Sequence, residues 1–523
     1  MTATSVPRTS VPRRNVLRAL AVAVALVGGV TPTWGGAAFA AEPETYTLTI
    51  RHLDRNGRTP VKYVTSVTGI SGAGADQSVQ PHDASGVTTV RLPRGRYLLE
   101  SALYTDAVAN GTDWIVQPRL DLDHDTTVTV DARTTAPVDV RPPDGSATFR
   151  LSGMFIEVTH EGVTRMASIV NPKPNLRVAH LGPEAEAGSV KQWFDSYWTT
   201  GTGGYALGQT FSGTRALTGL TRQYTAQELA TLRIRGGARP GAGGTVAFGL
   251  VPTSGQTVGL PLEMAAPGTA TFFVTPQRGT WEVSYTTRGA APNYYVARDI
   301  AVRAGATTTQ TFDNAVFGPA LTGRPGVERD GDRITADIPL LADGDGHVPS
   351  APLFDTAYTS LYRDGVLVGT QSGDARRAEF TVPAGQGSYR LASTVTRKTA
   401  TGGTTQVNAS WTFPSAATSG PTPVPVSVVR FSPELGLTGA APAGSRIRVP
   451  ITVQGAAANG RVRSLTVSMS TDGGVSWTGL PVEAGAVTIQ NPAAGTGVSL
   501  RAELTDTEGN TLDQTLIDAY RTQ

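Results

Sequence analysis

The sequence predicts an all-β chain built as several β-sandwich domains in tandem. Two observations carry this. Apolar and polar residues alternate with a period of two in Val- and Thr-rich runs, the pattern of half-buried strands. Between those runs stand turn dipeptides, with 60 glycines and 35 prolines in 523 residues, a turn-rich composition.

The alternation is clearest in Tyr46-Thr47-Leu48-Thr49-Ile50-Arg51, where Tyr46, Leu48 and Ile50 share a face. Thr127 to Val130 and Arg446 to Val449 repeat it. Asn56-Gly57, Asp330-Gly331, Asp364-Gly365 and Asp472-Gly473 mark turns. Leu361 to Val368 is the clearest hairpin, because Asp364 and Gly365 accept the positive φ of a type I′ turn. One turn recurs: an apolar strand end, Pro, Gly, then an aromatic. Its copies are Leu92-Pro93-Arg94-Gly95-Arg96-Tyr97, Val382-Pro383-Ala384-Gly385 leading to Tyr389, and the looser Pro276-Gln277-Arg278-Gly279-Thr280-Trp281. In each, Pro presets φ, Gly relieves the turn, and the ring is expected to plug a sandwich core.

These signals divide the chain. Residues 1–40 read as a signal peptide: Arg13-Arg14, an apolar run from Ala19 to Val30, then Ala38-Phe39-Ala40 as a cleavage pattern. The paired arginines resemble a twin-arginine signal, and the general secretory route stays open beside it. A β-sandwich is expected over 43–137 and a less regular β-region over 138–320. There Thr225-Ala226-Gln227-Glu228 forms a capping box expected to start a short connector. A second sandwich follows over 321–414, a Ser/Thr/Pro/Gly linker over 415–425, and an immunoglobulin- or fibronectin-type-III-like sandwich over 426–523. No further apolar stretch long enough to span a bilayer occurs, so the exported product is expected to carry no integral membrane segment.

Composition excludes several functions. Lys+Arg number 44 against 42 Asp+Glu, and four of the arginines lie in 1–40, which has no acid. The remainder is near neutral, so a nucleic-acid partner is not expected. Cys is absent, which removes disulfides, thiolate metal sites and cysteine nucleophiles. No Gly-x-Ser-x-Gly elbow and no phosphate loop occurs. His160-Glu161 begins like a zincin helix, but Thr164 stands where the second His belongs. No catalytic residue, metal or cofactor is therefore assigned.

Three features merit weighing. Asp121, Asp123 and Asp125, and Asp343-Gly344-Asp345-Gly346, are clustered carboxylates of the kind calcium uses, or ordinary Asp/Gly turns. Trp193-Phe194-Asp195-Ser196-Tyr197-Trp198 is the densest aromatic cluster. Trp193, Tyr197 and Trp198 are the candidate binding residues, stacking on sugars or a partner if exposed and filling a β-core if not. Ser470 to Trp477 fits an Asp-box, S-x-D-x-G-x-x-W, read as a structural turn.

Taken together, Tyr46 to Asp54, Arg91 to Tyr97, Leu361 to Gly365, Trp411 to Phe413, Val428 to Pro433 and Ser468 to Trp477 resemble, in that order, the accessory region of large secreted actinobacterial subtilisin-like serine peptidases. The similarity spans roughly 44–523. In those peptidases such β-domains follow a catalytic domain, whose His-Gly-Thr, Asp-Thr-Gly and Gly-Thr-Ser motifs are missing here. The resemblance therefore implies an accessory module without the family's proteolysis. The first domain also resembles a transthyretin-like sandwich through Leu92-Pro93, Gly95, Tyr97 and the Val128 to Val130 strand. The expected function is a secreted, non-enzymatic protein that binds cell-wall glycan or an extracellular protein. An extracellular hydrolase of glycans or peptides, with Trp193 and Trp198 near its cleft, and a regulator of a related peptidase are the alternatives.

Overall fold

A computed structural model describes residues 43–523 apart from 105–110, 238–243, 289–291, 322, 324–325 and 398–402. The signal segment 1–40 lies outside the described residues. Glu44–Gln523 form one compact unit. The described secondary structure is almost wholly strand, and the capping box at Thr225 starts a single 3-10 turn, Ala226–Glu228. Among the described residues no helix is long and apolar enough to cross a membrane.

The strands form packed sheets. Sheet A orders Val87–Pro93, Thr45–Leu53 and Thr126–Asp131. Sheet B has seven strands, and at its heart Leu176–His180, Thr112–Leu122, Gly95–Tyr104 and Lys62–Gly72 lie side by side. Sheet C also has seven, in the order Val163–Asn171, Thr148–His160, Val190–Thr200, Gly203–Gly213, Gly268–Val274, Ala230–Gly236 and Thr307–Phe312. Sheet D orders Leu262–Ala266, Gly244–Pro252, Trp281–Thr286 and Tyr294–Ile300.

Sheets B and C are each covered on two sides. From sheet B, Leu99, Leu103 and Ile115 join Leu48, Ile50 and Val130 of sheet A in one core. Their neighbours Leu98, Ala102, Trp114 and Val116 point the other way and meet Met154, Ile156, Phe194 and Leu207 of sheet C in a second. The far face of sheet C supplies Tyr197, Leu232 and Phe272 to a third core, shared with Leu250, Trp281 and Tyr285 of sheet D. Period-two alternation makes this possible, since consecutive residues of a strand serve opposite faces. Each fully buried Leu, Val or Phe contributes about 1.5–3 kcal/mol, so a strand buried on both sides is worth roughly twice a surface strand.

The sequence boundary at 137/138 does not interrupt the hydrogen bonding. Leu220–Gln223, Ala136–Arg141 and Leu176–His180 extend the sheet begun by 62–122. The C-terminal part is joined likewise. A nine-stranded sheet E runs from Val366–Ser372 through Thr356–Arg363, Gly387–Thr396 and Gln406–Ser415 to Thr511–Thr522, Gly497–Asp506 and Val462–Ser470. Its middle pair, Gln406–Ser415 with Thr511–Thr522, bridges the segments before and after the expected linker. A single core holds Tyr389, Leu391, Trp411, Val428, Leu500, Leu512 and Tyr520. Within 415–425, Thr422–Pro423 pairs with Val327–Asp330, so part of the expected linker is strand.

The recurring turn behaves as its chemistry requires. Tyr97, Trp281 and Tyr389 are all core rings, and Tyr97 donates to the Pro93 carbonyl at 2.6 Å. Asp364 and Gly365 both have positive φ, +50° and +84°, and close the expected hairpin between Arg363 and Val366.

The Asp343-Gly344-Asp345-Gly346 turn ties sheet C to the C-terminal part through Thr311 and Arg430. Buried Asp343 accepts from the amides of Asp313 (3.0 Å) and His347 (2.8 Å), and Asp345 accepts from the Thr311 amide at 2.7 Å. The His347 ring stacks on Phe312 at 4.4 Å, and the carboxylate of Asp343 helps raise its pKa against the effect of burial. Buried Arg430 donates to the carbonyls of Gly318, Pro319 and Asp343.

Because Thr511–Thr522 relies on Gln406–Ser415 for half its backbone partners, residues 426–523 expressed alone should lack a sharp thermal transition, whereas 321–523 should unfold in one. Calorimetry of both fragments checks this; a cooperative transition in the shorter one contradicts it.

Candidate functional site

Val190–Thr200 carries the candidate binding residues in the interior of sheet C. Trp193 opposes Phe155 on one side and Thr210 on the other, and Tyr197 opposes Leu151 and Ala206. Alternation sends Trp193, Asp195 and Tyr197 to the face toward sheet D, and Phe194, Ser196 and Trp198 to the face toward sheet B. Tyr197 is 1% exposed and Trp193 7%. The Tyr197 hydroxyl donates to the Leu250 carbonyl at 2.9 Å. Gly255 lies directly on the Trp193 indole; a Cβ there would sit 2.0 Å from Nε1. Trp198 is half-buried, edge-on to Phe149 at 5.1 Å, and donates to Ser196 Oγ. Of the two readings of this run, Trp193 and Tyr197 take the one that fills a β-core. Covered by sheets on both sides, their faces meet protein rather than a sugar.

Between these rings the fold buries a charge. Arg278 donates from Nε to Asp195 Oδ1 at 2.9 Å and from an Nη to Oδ2 at 3.2 Å. It also donates to the Gln256 carbonyl and to Thr210 Oγ1. The two side chains are 0% and 3% exposed. Burial pushes the Asp195 carboxyl up to about 6, against the pull of Arg278. Gly208 makes the room, since a Cβ there would lie 2.3 Å from Asp195 Oδ1 and 2.6 Å from Arg278 Cγ. Arg278 comes from the third Pro-Gly-aromatic turn, whose sequence signal marked Pro276, Gly279 and Trp281 but not the cation between them.

Past Trp198 the strand turns through Thr199, Thr200, Gly201, Thr202 and Gly203, which form one wall of a cavity of about 740 Å³. Phe248 and Phe272, edge-to-face at 5.7 Å, lie on its inner side. Arg150, Met264 and the Arg288–Glu263 ion pair complete it. Among its described lining residues Glu263 is the sole carboxylate, and none is His. The cleft offers threonine hydroxyls, two guanidinium groups and a shielded aromatic floor. That set can hydrogen-bond a polar ligand.

The other chemistry-bearing residues are directed to protein partners. Asp121 accepts from Arg96 and Arg119, Asp123 lies 2.6 Å from His124, and Asp125 accepts from the Thr47 amide. The three carboxylates therefore do not converge. In the Asp-box, Asp472 accepts from the amides of Val475 and Ser476, both at 3.0 Å, and from Ser470 and Ser476 hydroxyls. These bonds hold its carboxyl below the usual range.

A hydroxyl–imidazole relay lies in the first sandwich: Ser101 Oγ to Thr65 Oγ1 (2.8 Å) to His52 Nε2 (2.7 Å), with His52 Nδ1 on the Gly86 carbonyl. His52, Thr65 and Ser101 are at most 2% exposed, so no substrate reaches them. Burial lowers the His52 pKa, the dominant effect at this ring.

No protein-family model matches the sequence, and no curated protein matches it. Among solved structures, the Bacillus anthracis TIE protein is similar at 13% identity and a TM-score of 0.12, over 51% of this chain. The chain covers 50% of that protein, about half its length. The FN1–FN3 domains of chicken CNTN1 are similar at 7% identity and a TM-score of 0.11, over 65% of this chain and 85% of that one. A streptococcal ancillary pilin is similar at 9% identity and a TM-score of 0.12, over 66% and 89%. The fold assignment rests on the strands and cores themselves.

Two outcomes follow. Asp195→Asn or Arg278→Met alone should destabilise by about 3–5 kcal/mol by stranding a buried partner, while Asp195→Leu with Arg278→Met should cost less than the sum. Chemical denaturation of the three variants checks this, and simple additivity contradicts it. Separately, the folded state disfavours protonated His52, so its contribution to stability is complete above the ordinary histidine pKa and is lost as pH falls through the lowered one. The stability gap between wild type and His52→Gln should therefore narrow from pH 7 to pH 5; a constant gap contradicts it.

Proposed function

We propose that this chain is a secreted, non-enzymatic multi-domain β-protein, serving as a binding or structural accessory module at the cell exterior. One observation carries the reading: the His52 relay and the Asp195–Arg278 pair are buried, and among the described residues the open cleft holds a single carboxylate, already paired with Arg288. Acid–base hydrolysis of a glycoside ordinarily needs two carboxylates across the scissile bond. Nucleophilic catalysis by a hydroxyl–imidazole pair needs both groups within reach of substrate. The relay at His52 meets the distance and is sealed. The resemblance to peptidase accessory regions, the near-neutral charge and the signal peptide expected over residues 1–40 support the same reading.

Purified protein should be retained by a cell-wall fraction or by a defined secreted protein, and should leave glycan and peptide libraries intact. Turnover of any library member, reduced by Glu263→Gln, would instead establish a hydrolase in the cleft. Absence of specific retention contradicts the binding role.

A further inference from the structure

On the outer half of sheet C, the strands Gly268–Val274, Ala230–Gly236 and Thr307–Phe312 bury one face against sheet D, through Ala270, Phe272, Leu232, Ile234 and Phe312. The opposite face is set by register. Arg235 stands between Thr269 and Thr311, and Arg233 between Thr271 and Thr309. This makes two parallel Thr-Arg-Thr rows, with neighbours about 4.8 Å apart across strands and the arginines about 7 Å apart along theirs. Thr269, Arg233 and Thr309 are exposed, and Arg235, Thr271 and Thr311 are partly so.

Some other strand arginines meet carboxylates on neighbouring strands: Arg298 with Glu282 at 3.0 Å, Arg333 with Glu379 at 3.2 Å, Arg501 with Asp513 at 3.1 Å. Neither Arg233 nor Arg235 has a carboxylate partner within ion-pair distance among the described residues, and none of the six positions is acidic. Asp345, whose carboxylate accepts the Thr311 amide, adjoins one end of the array and interacts with Arg235. Two like charges at this spacing, with Asp345 beside Arg235 and no carboxylate beside Arg233 within ion-pair distance among the described residues, favour an anion laid across the face.

We propose that this face binds an acidic polysaccharide, a chain whose carboxylates or phosphodiesters engage Arg233 and Arg235 while Thr269, Thr271, Thr309 and Thr311 hydrogen-bond its hydroxyls. The proposal rests on the binding role above and names the ligand class. A nucleic acid fits less well, because these rows offer no aromatic ring for base stacking and the chain as a whole is close to neutral. Thr269 also lines the cleft, so the array continues to the cleft rim.

The test uses the full mature protein on immobilised polygalacturonate, poly(glycerol phosphate) and neutral dextran, with duplex DNA as competitor. Retention on one of the acidic polymers, lost at about 0.5 M salt where charges are screened, supports the proposal, and the polymer preferred identifies carboxylate or phosphate as the anion. The variant R233A/R235A should bind at least about tenfold more weakly, and R233K/R235K should stay within about threefold of wild type because charge persists without bidentate geometry. Both variants should keep the wild-type melting midpoint, since the side chains stand on the surface. Equal retention on dextran, DNA binding tighter than either polymer, or full binding by R233A/R235A overturns it. If R233A/R235A still retains the cell-wall fraction as wild type does, this face is excluded and the general binding role stands. If wild type retains nothing, both fall.

Discussion

Sheets B and C are buried on both faces, and the remaining structure follows from that constraint. A sheet with one wet face needs one partner layer. A sheet with two apolar faces needs two, so sheets A and D are required to close the stack. Leu98 with Leu99 and Trp114 with Ile115 show the arrangement residue by residue, since each neighbour enters a different core. The sandwiches are therefore not beads on a string. They share walls, and sheet E repeats the device by carrying its strands through both C-terminal segments.

Shared walls explain what became of the polar residues. A strand covered on both sides has few places to put a charge, and each one it keeps must be matched. Asp195 is matched by Arg278, which also bonds a carbonyl and a hydroxyl. Arg430 donates to carbonyls at the point where three segments meet. His52 is matched by neutral partners, and burial holds its pKa below the usual histidine value. In each case a residue type associated with catalysis is held by donors and acceptors that leave no free geometry for a substrate. Sheet C escapes its second cover at one edge, and there Arg233 and Arg235 stand.

Local signals were legible in the sequence and non-local ones were not. Asp364-Gly365 specified its hairpin, and the Pro-Gly-aromatic turns delivered Tyr97, Trp281 and Tyr389 to cores, because these features depend on a few adjacent residues. The fold class followed from alternation at Tyr46 to Arg51 and its like. Sharing of sheets was hidden, since the pairing of Gln406–Ser415 with Thr511–Thr522 joins residues about a hundred positions apart. A signal for it existed in the unbroken apolar runs Trp114-Ile115-Val116 and Tyr97-Leu98-Leu99, which break alternation because both faces are dry. The Trp193 to Trp198 run has the same cause, and composition alone did not separate a doubly buried strand from an exposed aromatic patch. The Thr-Arg-Thr rows depend on register between three distant strands, which no short motif encodes.

Native-state hydrogen exchange read by mass spectrometry tests the shared-wall account most directly. Amides of Gly95–Tyr104, Thr112–Leu122 and Val190–Thr200 should be the slowest of residues 43–320 and should exchange together, through one opening that dissolves both sheets. Exchange of the 43–137 amides as a separate, less stable group, with Val190–Thr200 still protected, would show sandwiches that merely touch, and would contradict it.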